Sequence, residues 1–474
     1  MKLKFSGNLV RITCFFVITG VFSDIFAQEL IPDSVQPGRL EQEFKTLRVP
    51  KSNAKAFIPG QKDLVAPKGA EDLIFILKKI NFEGVTALDV DALSDEFKGF
   101  INKKVSLVNL YTIANRTTSV YRNMGYVLSQ AVVPEQEINE DGVVTIKVVE
   151  GYINKISVKG IKDQKKQQRI LKATEKIRQS RPLNTSDLER QLLILNDFGG
   201  VDFSATLSPS DAVGAADMLL SVTKTQFNAS LNLENRGTDI VGPERLTGQL
   251  AVNDVLGAFD SNNLTFISTG NDELSFLSVN NEVPIGVNGW NLANSLSFSK
   301  SEPGGQLEIL EIESDTTTFA STVEFPLIRS RIKNLSLRGG FEVYNSESTR
   351  LASAEGSELL ATEDKLRSLR IGLVFDNIDR FRGVNLVDLE LSKGLNIFGA
   401  SELGDARLSR EFGDPEYTKL SFYAARLQSI MPRWSALFSI SGQFTNDNLL
   451  SSEQFGIGGK NFGSAFDSSE IIGD

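Results

Sequence analysis

The stretch Phe227-Asn-Ala-Ser-Leu-Asn-Leu-Glu234 decides how the second half of this chain is read. Phe227, Ala229, Leu231 and Leu233 alternate with Asn228, Ser230, Asn232 and Glu234. In an extended strand successive side chains point to opposite faces, so the segment has one oily face and one wet face. The pattern recurs. Leu369, Ile371, Leu373 and Phe375 alternate with Arg370, Gly372, Val374 and Asp376, where Val374 is the one misfit. Ala436, Phe438, Ile440 and Phe444 alternate with Ser435, Ser439, Ser441 and Gln443. Roughly eleven strands of eight or more residues fit after Gln226, about the length that crosses a bilayer when tilted.

The connections sort by length. Residues 254–262, 282–288, 326–333, 377–383 and 429–433 read as short turns, and 301–315, 346–364 and 399–416 as long loops. Short turns on one side and long loops on the other belong to a barrel in an outer membrane. Trp290, Phe298, Phe325, Phe341 and Trp434 suit the aromatic girdles of such a barrel. A soluble all-β domain or a solenoid shares the strand pattern but has no reason to sort its loops. Lipid leaves no strand edge unpaired, and bacterial barrels close with an even strand count. The chain stops at Ile472-Gly473-Asp474 after an odd count, so the expectation is that C-terminal strands are missing from it.

Bulk composition agrees. The chain has 474 residues, 41% of them hydrophobic, with a mean hydropathy of −0.11. After the N-terminus no stretch offers the ~20 apolar residues of a spanning helix. A net charge of −10 argues against nucleic acid as a partner. Histidine is absent, which removes Ser-His-Asp systems and most zinc sites. The single cysteine, Cys14, lies in a segment expected to be removed. Glu308, Glu311, Glu313 and Asp315 cluster, and read as a solvated loop rather than an acid/base pair. No glycine-rich phosphate loop with a following Lys-Ser/Thr is present, so no nucleotide is expected. The chain reads as a non-enzyme without catalytic residues, metal or cofactor.

The N-terminal half divides further. Residues 1–27 read as a secretory signal, with Lys2, Lys4 and Arg11 before the apolar Ile12–Phe22 run and Phe26-Ala27 at the cleavage point. Residues 28–71 read as one helix, with Leu40, Phe44 and Leu47 on one face, and a linker broken by Pro50, Pro59 and Pro67. In 72–151, Phe75–Phe82 reads as a strand, Leu88–Phe100 and Leu107–Asn123 as helices (Ser106 the N-cap of the second), and Tyr126–Val133 and Val143–Glu150 as strands. Residues 152–225 repeat this β-α-α-β-β order, with a polar helix over Gln164–Arg178 and another over Thr185–Asn196.

Three segments carry a family resemblance. Leu188-Glu-Arg-Gln-Leu-Leu-Ile-Leu-Asn-Asp-Phe-Gly-Gly-Val201, with Ala205-Thr-Leu207 and Gly214–Met218, resembles the second POTRA domain of two-partner secretion transporters, the TpsB proteins of the hemolysin secretion/activation type. Leu233-Glu-Asn-Arg-Gly237 with Gly242 and Gly248 resembles the start of their barrel. Ser452-Glu-Gln-Phe-Gly-Ile-Gly-Gly459, then Phe462–Glu470 and Gly473-Asp474, resembles their inward-folding loop. The resemblance implies α+β POTRA domains followed by a transmembrane antiparallel β-barrel. It divides the chain into signal peptide 1–27, plug helix and linker 28–71, POTRA domain 1 at 72–151, POTRA domain 2 at 152–225, and a partial barrel at 226–474. The family barrel has sixteen strands, so five would be missing. The loop motif would be Gly458, Gly459, Phe462, Gly463, Ser464, Ala465, Phe466, Gly473 and Asp474. Family members carry an arginine where this chain has Ser464, and serine cannot make the charge-assisted contact that arginine would make with the barrel wall.

The implied function is export. A TpsA-type exoprotein would meet the POTRA domains in the periplasm of the bacterial cell and thread unfolded through the barrel, which sits in outer-membrane lipid. Strand Tyr126–Val133 beside helix Leu107–Asn123 is the candidate docking edge for an added strand, with Leu107, Tyr111, Tyr126, Leu128 and Val132 as the groove. The same strand reads equally as a paired core strand. The alternative function is a BamA-type insertase, disfavoured by having only two POTRA units. A surface enzyme or adhesin on a barrel scaffold is a third, and the loops are too short for an added domain.

Overall fold

The computed structural model describes residues 9–11, 55–57 and 63–474, except 139–140, 236, 239, 352–357 and 459–470. The expected plug helix over Pro37–Leu47 and the cleavage point at Ala27 lie outside the described residues. Contacts divide the chain into two units, one comprising residues 52–196 and 201–224, the other 1–51, 197–200 and 225–474.

In the smaller unit the chain first makes β1 (Ile74–Leu77), β2 (Lys79–Glu83) and β3 (Lys103–Ser106). The single strand expected over Phe75–Phe82 is therefore two. β1 pairs β3, whereas β2 joins a different sheet, and the switch falls at Lys78, whose N–H donates to Gly142 O at 2.8 Å. The helix expected over Leu88–Phe100 is a pair of 3-10 turns, Val90–Glu96 and Lys98–Phe100. Asp89, Asp91, Ser94 and Asp95 offer local acceptors that compete with α-helical bonding, and Leu93 is the one buried anchor of the longer turn.

Helix α1 (Leu107–Asn123) is a full helix, with Ser106 at its N-cap and Ser106 N–H donating to Asn109 Oδ1 at 2.8 Å. It buries Leu110, Ile113, Ala114, Thr117, Thr118 and Tyr121. Strand β4 is only Gln130–Val132 and pairs β5 (Val143–Val149). The longer strand expected over Tyr126–Val133 is cut short because Gly125 takes φ 92° and Ser129 N–H closes a turn onto Tyr126 O.

The second repeat holds β6 (Tyr152–Lys159), α2 (Gln164–Ala173), α3 (Glu175–Gln179), α4 (Thr185–Asn196), β7 (Val201–Pro209) and β8 (Ala215–Lys224). The expected polar helix Gln164–Arg178 is thus two helices, joined at Thr174. β6 runs parallel to β8 and β7 antiparallel to it, and the short segment Lys55–Phe57 lies parallel to β7. Asn184 Oδ1 accepts from Ser186 N at 2.9 Å at the start of α4. Asn196 ends α4 and fastens it to β7, its side chain accepting from Phe203 N at 2.7 Å.

The larger unit is one antiparallel meander: β9 (Phe227–Glu234), β10 (Arg245–Asn253), β11 (Ser261–Thr269), β12 (Leu274–Ile285), β13 (Trp290–Ser301), β14 (Glu313–Arg329), β15 (Lys333–Leu351), β16 (Glu358–Ile378), β17 (Gly383–Gly394), β18 (Thr418–Met431) and β19 (Trp434–Thr445). Each strand pairs with its neighbours in sequence. The segment Leu9–Arg11 lies parallel to β19. β9 and β19 do not pair with each other among the described residues, so the sheet is open.

The oily face is outside: on β16, Leu369, Ile371 and Leu373 are 43%, 49% and 40% exposed, while Ser368 and Gly372, at alternate positions, are buried. Trp290 and Trp434 open their strands at the short-turn end, and Trp290 stacks on Phe325 at 4.6 Å. The loop expected at 346–364 is instead the tip of the longest hairpin, with Arg350 opposite Leu359 and Leu351 opposite Glu358. Apolar–polar alternation fades there while the backbone ladder continues, and the paired Ser346 and Asp364, and Ser348 and Thr362, are buried on one face although polar. Glu313 and Asp315 belong to β14, and Lys300 pairs with Glu313 at 2.6 Å.

Residues 197–200 group with this sheet, which gives the Asp197-Phe-Gly-Gly200 stretch a role. Phe198 stacks on Phe259 at 5.1 Å, and Arg329 grips Asp197 through two bonds of 2.9 and 2.7 Å. A Cβ on Gly199 would come within 2.6 Å of the Asp260 backbone, so glycine is required for that approach.

Two outcomes follow. Leu231→Arg should cost about 2–4 kcal/mol of membrane-folded stability, whereas Asn232→Arg on the wet face should cost little. Urea titration of folding in lipid vesicles checks the contrast. In the smaller unit, the Glu150 carboxylate accepts from Thr86 N (2.8 Å), Ala87 N (2.9 Å) and Tyr121 OH (2.8 Å), and also from the Thr86 hydroxyl. Burial alone would raise its pKa, but these donors outweigh burial and hold it below the usual carboxylate range. A depressed carboxylate stabilises above its unfolded pKa of about 4.3 and loses that contribution as pH falls through the folded value. Protection of the Thr86 and Ala87 amides, relative to their intrinsic exchange rates, should therefore fall as pH drops below about 4, and Glu150→Gln should lower it at neutral pH.

Candidate substrate groove and inner wall

Strand pairing lines up a charged inner wall. Arg338 on β15 lies opposite Gly372 on β16, which lies opposite Glu390 on β17. The Arg338 side chain crosses over Gly372 to bind Asp388 through two bonds of 2.9 and 2.8 Å, and Glu390 at 2.8 Å. A Cβ at 372 would sit 2.6 Å from Arg338 Nε, so the guanidinium path depends on glycine. This is the wet face that the alternation around Leu369–Asp376 foretold, and Val374 faces the same side as Arg370 and Gly372.

One turn of chain folds onto this wall. Ser451, Ser452, Glu453 and Gln454 are all buried. Glu453, 6% exposed, accepts from Arg370 at 2.8 Å and from the Lys419 ammonium, while Lys419 Nζ also donates to Glu453 O at 2.8 Å. Arg370 further binds Glu342 at 2.6 Å and Ser392 at 3.0 Å. The buried charges are thus paired across β15, β16, β17 and β18, which is what makes them tolerable away from water.

At the long-loop end an apolar cap covers the wet face. Tyr344 and Leu366 from the strands meet Leu408 and Tyr417 from the 395–417 connection, with Leu449 and Leu450 after β19. Arg410 ties this loop to the terminal carboxylate side chain, donating to Asp474 Oδ1 at 2.7 Å and to Leu449 O at 2.6 Å.

Of the expected loop motif, Gly458, Gly473 and Asp474 are described. β20 (Phe455–Ile457) pairs antiparallel with β21 (Ile471–Gly473), which makes a hairpin. Gly458 follows it with φ 127°, a conformation open to glycine. Gly459, Phe462, Gly463, Ser464, Ala465 and Phe466 lie outside the described residues. Glu453, Arg370, Lys419 and Arg338 were missed as site residues. Their signal was present: ionisable residues at wet-face positions of long strands.

In the first repeat, Leu107 and Tyr126 pack against the core, and Tyr126 meets the Tyr121 ring at 6.0 Å. Tyr111, Leu128 and Val132 are half-buried. The edge of β4 is narrower than expected. Its central amide, Ala131 N–H, already donates to Thr118 Oγ1 of α1 at 3.0 Å. The next stretch of helix is occupied too. Asn115 pairs in both directions with the backbone of Leu64, at 2.9 and 3.0 Å, and Asp63 lies 3.8 Å from Arg122. Asn115, Thr118 and Arg122 share one side of α1 by their spacing.

Comparison with known proteins places this geometry. Residues 217–474 match the haemolysin secretion/activation protein family ShlB/FhaC/HecB, and residues 75–151 match the ShlB-type POTRA domain. The chain belongs to the ShlB/FhaC/HecB family. This ShlB-type protein is a member of the outer membrane, with its POTRA fold in the periplasm.

Among relatives, it is 24% identical over 436 residues to the heme/hemopexin transporter protein HuxB of Haemophilus influenzae strain 86-028NP, covering 89% of this chain and 75% of HuxB. A second Haemophilus influenzae HuxB is 26% identical over 398 residues, of which the chain spans 66%. The outer membrane transporter CdiB of Dickeya dadantii is 22% identical, covering 84% of this chain and 70% of CdiB. The solved CdiB from Escherichia coli superposes with a TM-score of 0.65 at 21% identity, over 87% of this chain and 76% of that one. CdiB from Acinetobacter baumannii gives 0.55 at 16%, over 93% and 81%. These two structures support the fold: POTRA units and a broad antiparallel strand sheet.

Glu453→Gln should take a carboxylate from Lys419 and Arg370 and loosen the turn by about 3–5 kcal/mol. Hydrogen exchange over residues 451–457 should rise accordingly. Adding Lys419→Met should recover part of the loss, because that buried cation is then gone.

Proposed function

We propose that this protein exports a TpsA-type exoprotein across the outer membrane by two-partner secretion. The passenger meets the POTRA units in the periplasm and crosses, unfolded, along the polar inner wall of the strand domain. The observation that carries this reading is the two-sidedness of one sheet. The face with Leu369, Ile371 and Leu373 is apolar and exposed, while the opposite face pairs Arg338 and Arg370 with Asp388, Glu390 and Glu342. A water-filled conduit in lipid requires that division. HuxB and CdiB are transporters by name, which favours export over catalysis. The insertase alternative is disfavoured, since the matched family is the secretion/activation one.

Within this reading, 1–27 is a signal peptide, 28–71 a plug helix and linker, 72–151 and 152–225 are the two POTRA domains, and 226–474 belongs to the barrel. Leu107, Tyr111, Tyr126, Leu128 and Val132 border the passenger groove of the first POTRA domain. Because Leu64 already pairs with Asn115, the passenger strand adds beside α1 only where that contact gives way. Gly458, Gly459, Phe462, Gly463, Ser464, Ala465, Phe466, Gly473 and Asp474 are the motif of the inward-folding loop.

The test is secretion of the exoprotein encoded beside the gene, measured in culture supernatant. Leu128→Asp with Val132→Asp should lower secretion at least about tenfold, the loss of an apolar docking patch, while heat-modifiable migration of the barrel stays intact. Undiminished secretion would remove the groove from the proposal. Absence of any secreted protein dependent on this gene would remove export itself.

A further inference from the structure

The second repeat carries a charge concentration that export does not explain. Residues 152–181 contain ten Lys or Arg and two Asp or Glu, a net charge of +8 within a chain of net −10. The remainder is therefore −18 (−10 less +8), so the cations are gathered rather than spread. Both acids are already committed. Asp163 caps α2 by accepting from Lys165 N at 2.8 Å, and Glu175 binds Arg178 at 2.8 and 3.1 Å.

The lysines follow the helix. Lys165 and Lys172, seven residues apart on α2, and Lys176 on α3 are exposed, with Lys162 just before the α2 N-cap, while Ile170 and Ala173 of α2 and Ile177 of α3 face the core. Leu171 sits among them, 39% exposed. Cations in the first turn of a helix oppose its dipole, so the dipole gives no reason for Lys165 to stand there. Lys155 and Lys159 lie on β6, an outer strand, where lysine guards against edge pairing. That reason does not extend to the helix.

What lies within reach decides the partner. β8 ends at Lys224 and the lipid-facing strand β9 begins at Phe227. The two residues between span at most about 7 Å. On a chain joined this closely to a lipid-facing strand, anionic headgroups offer a basic helix face a dense source of negative charge. We propose that the α2 face of the second repeat docks on anionic phospholipid headgroups of the leaflet facing the periplasm. The inference rests on membrane location, independent of whether the protein exports a passenger.

The test uses the full chain in nanodiscs of phosphatidylethanolamine with phosphatidylglycerol, or of phosphatidylcholine alone. Hydrogen exchange over 164–179 and tryptic cleavage after Lys165 and Lys172 should slow about tenfold in the anionic discs, and the protection should vanish in high salt. Replacing Lys162, Lys165, Lys172 and Lys176 by Gln, which removes those tryptic sites, should abolish the lipid-dependent protection from hydrogen exchange over 164–179 while exchange in β7 and β8, and so the fold of the repeat, is unchanged. If those strands loosen, the pair Lys165→Gln and Lys172→Gln is read instead. Equal exchange in both lipids would overturn the proposal. So would protection produced by soluble polyglutamate but not by anionic discs, which would assign the face to an acidic protein.

Discussion

Every polar group in the strand unit answers to one constraint: inside hydrocarbon nothing but the protein can satisfy it. Backbone amides are satisfied by the meander β9–β19, each strand by its neighbours. Side chains are sorted by the two-residue period, which sends Leu231 out and its neighbours in. The charges on the inner side pair across strands. Arg338 reaches Asp388 and Glu390 only because Gly372 lets it pass over β16. The outer strands β9 and β19 keep edges that the meander does not pair, and the same constraint demands partners for them in lipid.

The inner wall also determines what can lie inside. Glu453 brings a carboxylate to two wall cations, and its turn is buried as a result. The hairpin β20–β21 starts from that turn and returns to Asp474, which Arg410 holds. Its root is therefore fixed at both legs by opposite charges, one on the wall and one on the 395–417 loop. The apolar cap of Leu408, Tyr417, Leu449 and Leu450 closes over the same end.

The two small repeats share an element order but differ in what they present. In the first, Glu150 draws the loop at Thr86 and the helix residue Tyr121 together, while Thr118 and Asn115 occupy the side of α1 next to β4. Its docking edge is short and guarded. In the second, the exposed surface is electrostatic, and Asn196 and the following Asp197-Phe-Gly-Gly200 stretch are committed to structural bonds.

The sequence by itself determined the strand unit, since Phe227–Glu234 and its successors alternate with the period of the pleat, and lipid on one side enforces that alternation over many residues. It also determined α1, whose buried face repeats every three or four positions, and the shortness of the turns at 330–332 and 432–433. It did not determine the split of Phe75–Phe82, the truncation of β4 or the length of the β15–β16 hairpin. Those were decided by Gly142 taking the Lys78 amide, by the turn behind Gly125, and by a ladder that outlasts its hydrophobic pattern. Nor could it pair Glu453 with Arg370 and Lys419, residues 83 and 34 positions away. Periodicity reports which face a side chain occupies. Which charge it meets there depends on strand register and on how the chain returns, and these exist only once the sheet has formed.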